Sequence, residues 1–169
     1  MENPELSLAA LLRRGGLFYH APGTRSVELL TWLVNMVTDR AGRGAVDREK
    51  LLTAVLEREE LMPTAMGNGV ALPHPRNPVI EKAGDQFAAL AFPETPLDWE
   101  ALDGKPVHAV ILLVSASAKA HLSLLQRITF FCRDEGFCRL LDRQAPAEEI
   151  LAYIEQTEGA WLPERIDPV

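Results

Sequence analysis

Hydrophobic positions recur at different periods along the chain, and the changes of period divide it into three stretches. Near the N-terminus, Leu6, Leu8, Leu11 and Leu12 form a short apolar stripe within Met1–Arg14, read as a packing arm or a first strand, and Arg13-Arg14-Gly15-Gly16 breaks it. Leu17-Phe18-Tyr19 predicts a short strand that ends at Pro22-Gly23. Thr24 or Ser26 can cap a helix, because a side-chain oxygen there accepts a free backbone N–H. Val27, Leu30, Leu33 (or Val34) and Val37 then follow at helical spacing, so a helix is predicted to about Arg40, ended by Gly42 and Gly44. Asp47 caps a second helix, Arg48 to about Glu60, with Leu51, Leu52, Val55 and Leu56 on one face, and Pro63 stops any continuation.

The middle third carries short apolar runs bounded by Gly, Pro or Asp. Gly69–Leu72, Phe87–Phe92 and Val107–Val114 read as buried strands, with a turn at Asp103-Gly104-Lys105-Pro106 before the third. The last third returns to helical spacing. Leu122, Leu125, Ile128 and Phe131 (or Phe130) predict a helix from Lys119 to about Arg133, and Glu135–Asp142 a short one. Pro146 suits a first helical turn, with Glu148 and Glu149 near the positive end of the dipole, and that helix runs to about Glu158. Trp161–Val169 carries two prolines and reads as a frayed tail. Helices before and after a strand-rich middle predict an α/β fold: a single-domain sandwich with a central mixed β-sheet flanked by helices on both faces. Strand order does not follow from these patterns.

Composition narrows the function classes. The 169 residues suit one domain of ordinary size, with 47% hydrophobic and 24% charged residues. Seventeen basic against 24 acidic residues give a formal net charge of −7. That balance argues against general nucleic-acid binding, because backbone phosphates would be repelled. No apolar run approaches the ~20 residues of a membrane-spanning helix. Met1–Leu12 opens with two glutamates and lacks the pattern of a secretory signal. The two cysteines, Cys132 and Cys138, are not in CxxC spacing and read as reduced thiols in a cytoplasm.

The stretch most suited to chemistry is Thr64-Ala65-Met66-Gly67-Asn68-Gly69-Val70-Ala71-Leu72-Pro73-His74-Pro75-Arg76. Gly-Asn-Gly is turn chemistry, a short strand follows, and His74 then stands between two prolines that cannot donate backbone hydrogen bonds. A stiff loop at a strand end presents the imidazole outward. Such a ring can be a general base, a metal ligand, a nucleophile or simply a surface histidine. A zinc reading would join His74, His108 and His121 to a carboxylate, but their spacing matches no common zinc motif. His108 lies within an apolar run and reads as core or edge. His20 lies near a turn without a motif, Trp32 and Phe130-Phe131 fall on helical stripes, and Trp99, in a loop after Leu97-Asp98, could touch a partner but reads first as ordinary packing.

Gly67-Asn68-Gly69-Val70-Ala71-Leu72-Pro73-His74 resembles the signature of the fructose/mannitol-type enzyme IIA domains of the bacterial phosphoenolpyruvate-dependent sugar phosphotransferase system. That group includes the nitrogen-regulatory enzyme IIA proteins. The resemblance implies that His74 is the phosphorylated histidine, modified on Nε2. It places Arg58, in Leu56-Glu57-Arg58-Glu59-Glu60, beside the site. It also matches His121, 47 residues beyond His74, to a second site histidine at the start of a helix. It spans about residues 5 to 158, giving a domain over 1–158 and a tail over 159–169. The partners it implies are a histidine phosphocarrier protein upstream and an enzyme IIB domain or regulatory target downstream, with docking to a membrane permease complex. It implies a cytoplasmic location and no cofactor.

One position departs from the family pattern: Pro75 stands where glycine is usual. Proline removes a backbone N–H that could meet a phosphoryl oxygen and forbids backbone angles open to glycine. Arg58 could instead pair with Glu59, Glu60 or a carbonyl at the end of its own helix. Ser115 and Ser117 precede the last helical third as further donors. Three functions therefore stand side by side: a phosphocarrier, a regulator whose contacts switch with phosphorylation, and a domain in which Pro75 has ended transfer.

Overall fold

Strands that are apolar at every position require cover on both faces of their sheet, and the chain supplies it with two groups of helices. The structure, a computed structural model, describes residues 7–40 and 46–160. Strands β1 (Leu17–Ala21), β2 (Ala65–Gly67), β3 (Val70–Ala71), β4 (Phe87–Pro93) and β5 (Ala109–Val114) form one sheet in the order β1-β4-β5-β3-β2. β1 runs parallel to β4 and β3 parallel to β5, whereas the β4–β5 and β2–β3 pairs are antiparallel. The helices are α1 (Leu8–Gly15), α2 (Ser26–Arg40), α3 (Arg48–Leu61), α4 (Ala118–Arg133), α5 (Glu135–Asp142) and α6 (Ala147–Ala160).

Alternation along the central strands sorts the core into two layers. Ala88, Leu90 and Phe92 with Ala109, Ile111 and Leu113 face α1, α4, α5 and α6. Phe87, Ala89 and Ala91 with Val110, Leu112 and Val114 face α2 and α3. The mixed sheet with helices on both faces is therefore the expected architecture. Among the described residues no helix is long and apolar enough to cross a membrane.

Several local readings change. Residues 8–15 form a helix rather than an arm or a strand. Ser7 caps it by accepting from Ala10 N, and Leu8, Leu11, Leu12 and Gly15 lie buried on one face at i, i+3, i+4 and i+7. In α4 the buried stripe is Leu124, Ile128, Phe131 and Cys132, while Leu122 is 62% exposed and Phe130 40%. Each large side chain on the correct face contributes about 1.5–3 kcal/mol of burial, which sets the rotation of the helix. Val27 likewise lies off the buried face of α2. The third apolar run is divided: Val107 makes an isolated antiparallel bridge to Leu97, and β5 begins at Ala109. β2 is an addition to the predicted elements. Asp47 caps α3 as expected, accepting from Lys50 N at 2.9 Å. Leu6, Gly42, Gly44 and the tail Trp161–Val169 lie outside the described residues.

Candidate functional site

The site begins at a turn that only small or amide side chains tolerate. Gly67, Asn68 and Gly69 have successive φ values of +90°, +54° and +76°, reversing the chain between β2 and β3. Beyond β3 the backbone stays tied on both sides: Leu72 N donates to the Thr64 carbonyl at 3.0 Å, and Leu113 N donates to the Pro73 carbonyl at 3.1 Å. His74 is the first residue past these bonds. It is half-buried, between the buried Pro73 and Pro75. Its Nδ1 lies 2.8 Å from the Leu72 carbonyl oxygen. A carbonyl only accepts, so the partner assigns the proton to Nδ1 and leaves the lone pair on Nε2.

A second imidazole faces the first. The His74 and His121 rings lie with centroids 4.9 Å apart and planes inclined at 48°. His121 belongs to the first turn of α4, whose N-cap Ser117 accepts from Ala120 N at 3.1 Å. Its Nδ1 is 3.1 Å from Ser115 Oγ. Of the two serines, then, Ser115 touches a site histidine and Ser117 serves the helix end. A pocket of 260 Å³ beside His121 is lined by Pro75, Asn77, Ser115, Ala118 and Leu122 among others.

Arg58 comes from the last turn of α3 on the opposite layer, and its Nη1 donates to the Met62 carbonyl at 2.8 Å. It pairs with neither Glu59 nor Glu60; the carbonyl at the end of its own helix takes the bond. Its charge still reaches both rings. Burial lowers the pKa of His74, and the Arg58 cation lowers it further, against the opposing effects of the Leu72 carbonyl and the Glu59 carboxylate. His121 is pushed down to about 4, first by burial and then by His74 and Arg58. Both rings are neutral at pH 7, and each keeps a lone pair. His74 and His121 thus meet at one end of the sheet, from a strand end and from α4, and the charge of Arg58 on α3 acts on both rings.

Two residues with a structural part here were not picked out for it by the sequence. Glu59 accepts from Thr64 N at 2.8 Å, Thr64 Oγ1 at 2.6 Å and Trp99 Nε1 at 2.7 Å. Trp99 is only 2% exposed. A Gly-Asn-Gly turn followed by a strand is also the signal of a hairpin, and reading back from it would have exposed β2 and the position of Thr64. The other histidines stay away from the site. His108 Nε2 lies 2.9 Å from Asp142 Oδ1, and His20 is exposed with φ +54°. Among the described residues no three His, Cys, Asp or Glu side chains are grouped to hold a metal ion. Cys132 and Cys138 are free thiols, with burial pushing Cys132 up to about 12.

The family described as "Phosphoenolpyruvate-dependent sugar phosphotransferase system, EIIA 2" matches residues 24–157, and the chain belongs to it. A "Nitrogen regulatory protein" of Bradyrhizobium diazoefficiens is 37% identical over 102 residues, 59% of this chain and 65% of that relative's own length. A "Nitrogen regulatory protein" of Pseudomonas aeruginosa is 30% identical over 151 residues, 88% of this chain and 94% of the relative. Among solved structures, nitrogen regulatory protein IIA-Ntr from Neisseria meningitidis superposes with a TM-score of 0.73 at 21% identity, over 86% of this chain and 97% of that one. The mannitol enzyme IIA of Escherichia coli, in complex with phosphorylated enzyme IIB, gives 0.69 at 18% identity, over 84% and 95%. At these identities the two structures bear on the fold alone.

Proposed function

We propose that the chain is a phosphocarrier in which His74 accepts a phosphoryl group on Nε2 from a histidine phosphocarrier protein and passes it to an enzyme IIB domain. The observation that carries this reading is the Nδ1–H bond to the Leu72 carbonyl, which leaves Nε2 free on a half-buried neutral ring. The Nε2 lone pair attacks phosphorus, a P–N bond forms, and the donor's P–N bond breaks with its electron pair returning to the donor ring. The second transfer reverses these roles. No metal is needed to make a neutral imidazole nucleophilic. Most of the catalysis is positioning and stabilisation of charge on the equatorial oxygens. Arg58 supplies a forked cation and His121 a ring N–H to those oxygens. Pro75 offers no backbone donor, so side chains meet more of that demand here than where glycine follows the histidine. Both proposed partners act in the cytoplasm, which is where this reading places the chain.

The test is incubation with phosphoenolpyruvate, enzyme I and the histidine carrier. The expected result is an acid-labile label on the wild type and none on His74→Ala; label of equal strength on that variant would refute the assignment.

A second reading is a regulator whose protein contacts switch with phosphorylation. It is favoured by the Pseudomonas relative named for nitrogen regulation, which aligns over 94% of its own length. New charge on His74 would alter a binding face directly. Pull-downs with the phosphorylated and unphosphorylated forms separate the readings: partners captured by one form only support the switch.

A further inference from the structure

The carboxylate of Glu59 is held by three donors, none from its own helix. Oε1 accepts from Thr64 N and Trp99 Nε1, and Oε2 accepts from Thr64 Oγ1. Hydrogen bonds to an ionised acceptor are about twice as strong as neutral ones, and the burial of Trp99 excludes much of the competing water. Thr64 is itself buried, and its carbonyl accepts from Leu72 N. The Leu72 carbonyl in turn accepts from His74 Nδ1. Glu59, Thr64, Leu72 and His74 are therefore joined by consecutive hydrogen bonds of 2.6 to 3.0 Å. The same carboxylate lies near enough to favour the protonated form of His74, against burial and the Arg58 cation.

We propose that Glu59 is a positioning residue for His74: it fixes Thr64 against Trp99, and through Thr64 it holds the Leu72 carbonyl that keeps the proton on Nδ1 and Nε2 toward the donor. For transfer, this rests on the phosphocarrier reading. The hold on the ring does not, so the two can fail separately. Arg58 and Glu59 are sequence neighbours with opposite tasks, one aimed at the arriving dianion and the other at the backbone behind the nucleophile.

Glu59→Ala removes both the bonds and the charge. Glu59→Gln keeps an amide oxygen that can accept from Thr64 N and Trp99 Nε1, and an amide N–H that can donate to Thr64 Oγ1, so it removes mainly the charge. Long-range 1H–15N spectra of the full chain report the His74 tautomer and its titration, and labelling from the histidine carrier reports the rate. The expected result for Glu59→Ala is a mixed tautomer population and a rate loss on the order of 100-fold, the scale of a nucleophile displaced by about 1 Å. For Glu59→Gln it is a retained Nδ1–H tautomer with a lower His74 pKa. A folded Glu59→Ala protein with the wild-type tautomer and rate overturns the inference, even if its stability has dropped. Should Glu59→Ala fail to fold, a wild-type tautomer and rate in Thr64→Val, which takes away the Oγ1 donor to Oε2, overturn it instead. If the wild type takes no label, the phosphocarrier reading falls, and the tautomer spectra still decide the part played by Glu59.

Discussion

His121 loses proton affinity on folding, from an ordinary histidine value of 6.5 to about 4. Burial is the first cause, followed by His74, which repels a second proton once it is itself protonated, and by the Arg58 cation. The sign of the consequence follows from proton counting. Between those two values the unfolded chain binds more protons at this position than the folded one, so stability falls as pH drops from 6.5 toward about 4. His74 shifts in the same direction and adds to the slope. The maximum for one group is about 1.4 kcal/mol per pH unit, and solvent reaching these half-buried rings reduces it. Urea midpoints measured at neutral pH and near pH 5 are expected to differ less in His121→Gln than in the wild type. An equal acid loss in both would assign the slope to other groups.

The turn between β2 and β3 sets a constraint at the scale of elements. A Cβ on Gly69 would lie 2.1 Å from His108 Nδ1, and its φ of +76° disfavours any L side chain. Gly69→Ala is expected to cost about 1–3 kcal/mol by strain and overpacking. Adding His108→Ala is expected to recover part of that loss, because the clash goes and the backbone strain stays. Equilibrium urea unfolding of the single and double variants checks both. Features of this local kind were the most legible in the sequence. Asp47, the apolar face of α2 and the glycines about Asn68 act within a few residues, and the elements they mark are present. The rotation of α4 was misjudged because Leu122 and Leu124 offer equal hydrophobicity, and only the layer opposite selects Leu124. α1 was missed because its stripe is two turns long and its decisive partner, the β4 backbone beside Gly15, is distant in sequence. The family resemblance picked out His74 by its signature and Arg58 and His121 by two further stretches, as candidates for one site. The bond from Trp99 to Glu59 crosses 40 residues and leaves no periodic trace.

Long-range ties also govern the whole molecule. Glu158 of α6 is 4% exposed, and it accepts from Ser7 Oγ, from Leu8 N at the start of α1, and from Arg127 Nη1 of α4. An anion at the N-terminal end of a helix is well placed against its dipole. Here the same carboxylate fastens three helices. Glu158→Ala is expected to cost about 2–4 kcal/mol, by exposing a helix end and taking a partner from a largely buried guanidinium. Hydrogen exchange in α1 is expected to accelerate before that of β4 and β5; uniform acceleration throughout the sheet would refute a local fastening. The two helical layers also differ in what they bring to the candidate site. Arg58 rides on one, His121 on the other, and His74 projects from the sheet between them. A shift between the layers too slight to melt the core would still move His121 and the Arg58 charge relative to His74. On the phosphocarrier reading, this end of the molecule is thus a gauge of how well its halves are seated, and variants buried far from any imidazole would fall silent while remaining folded.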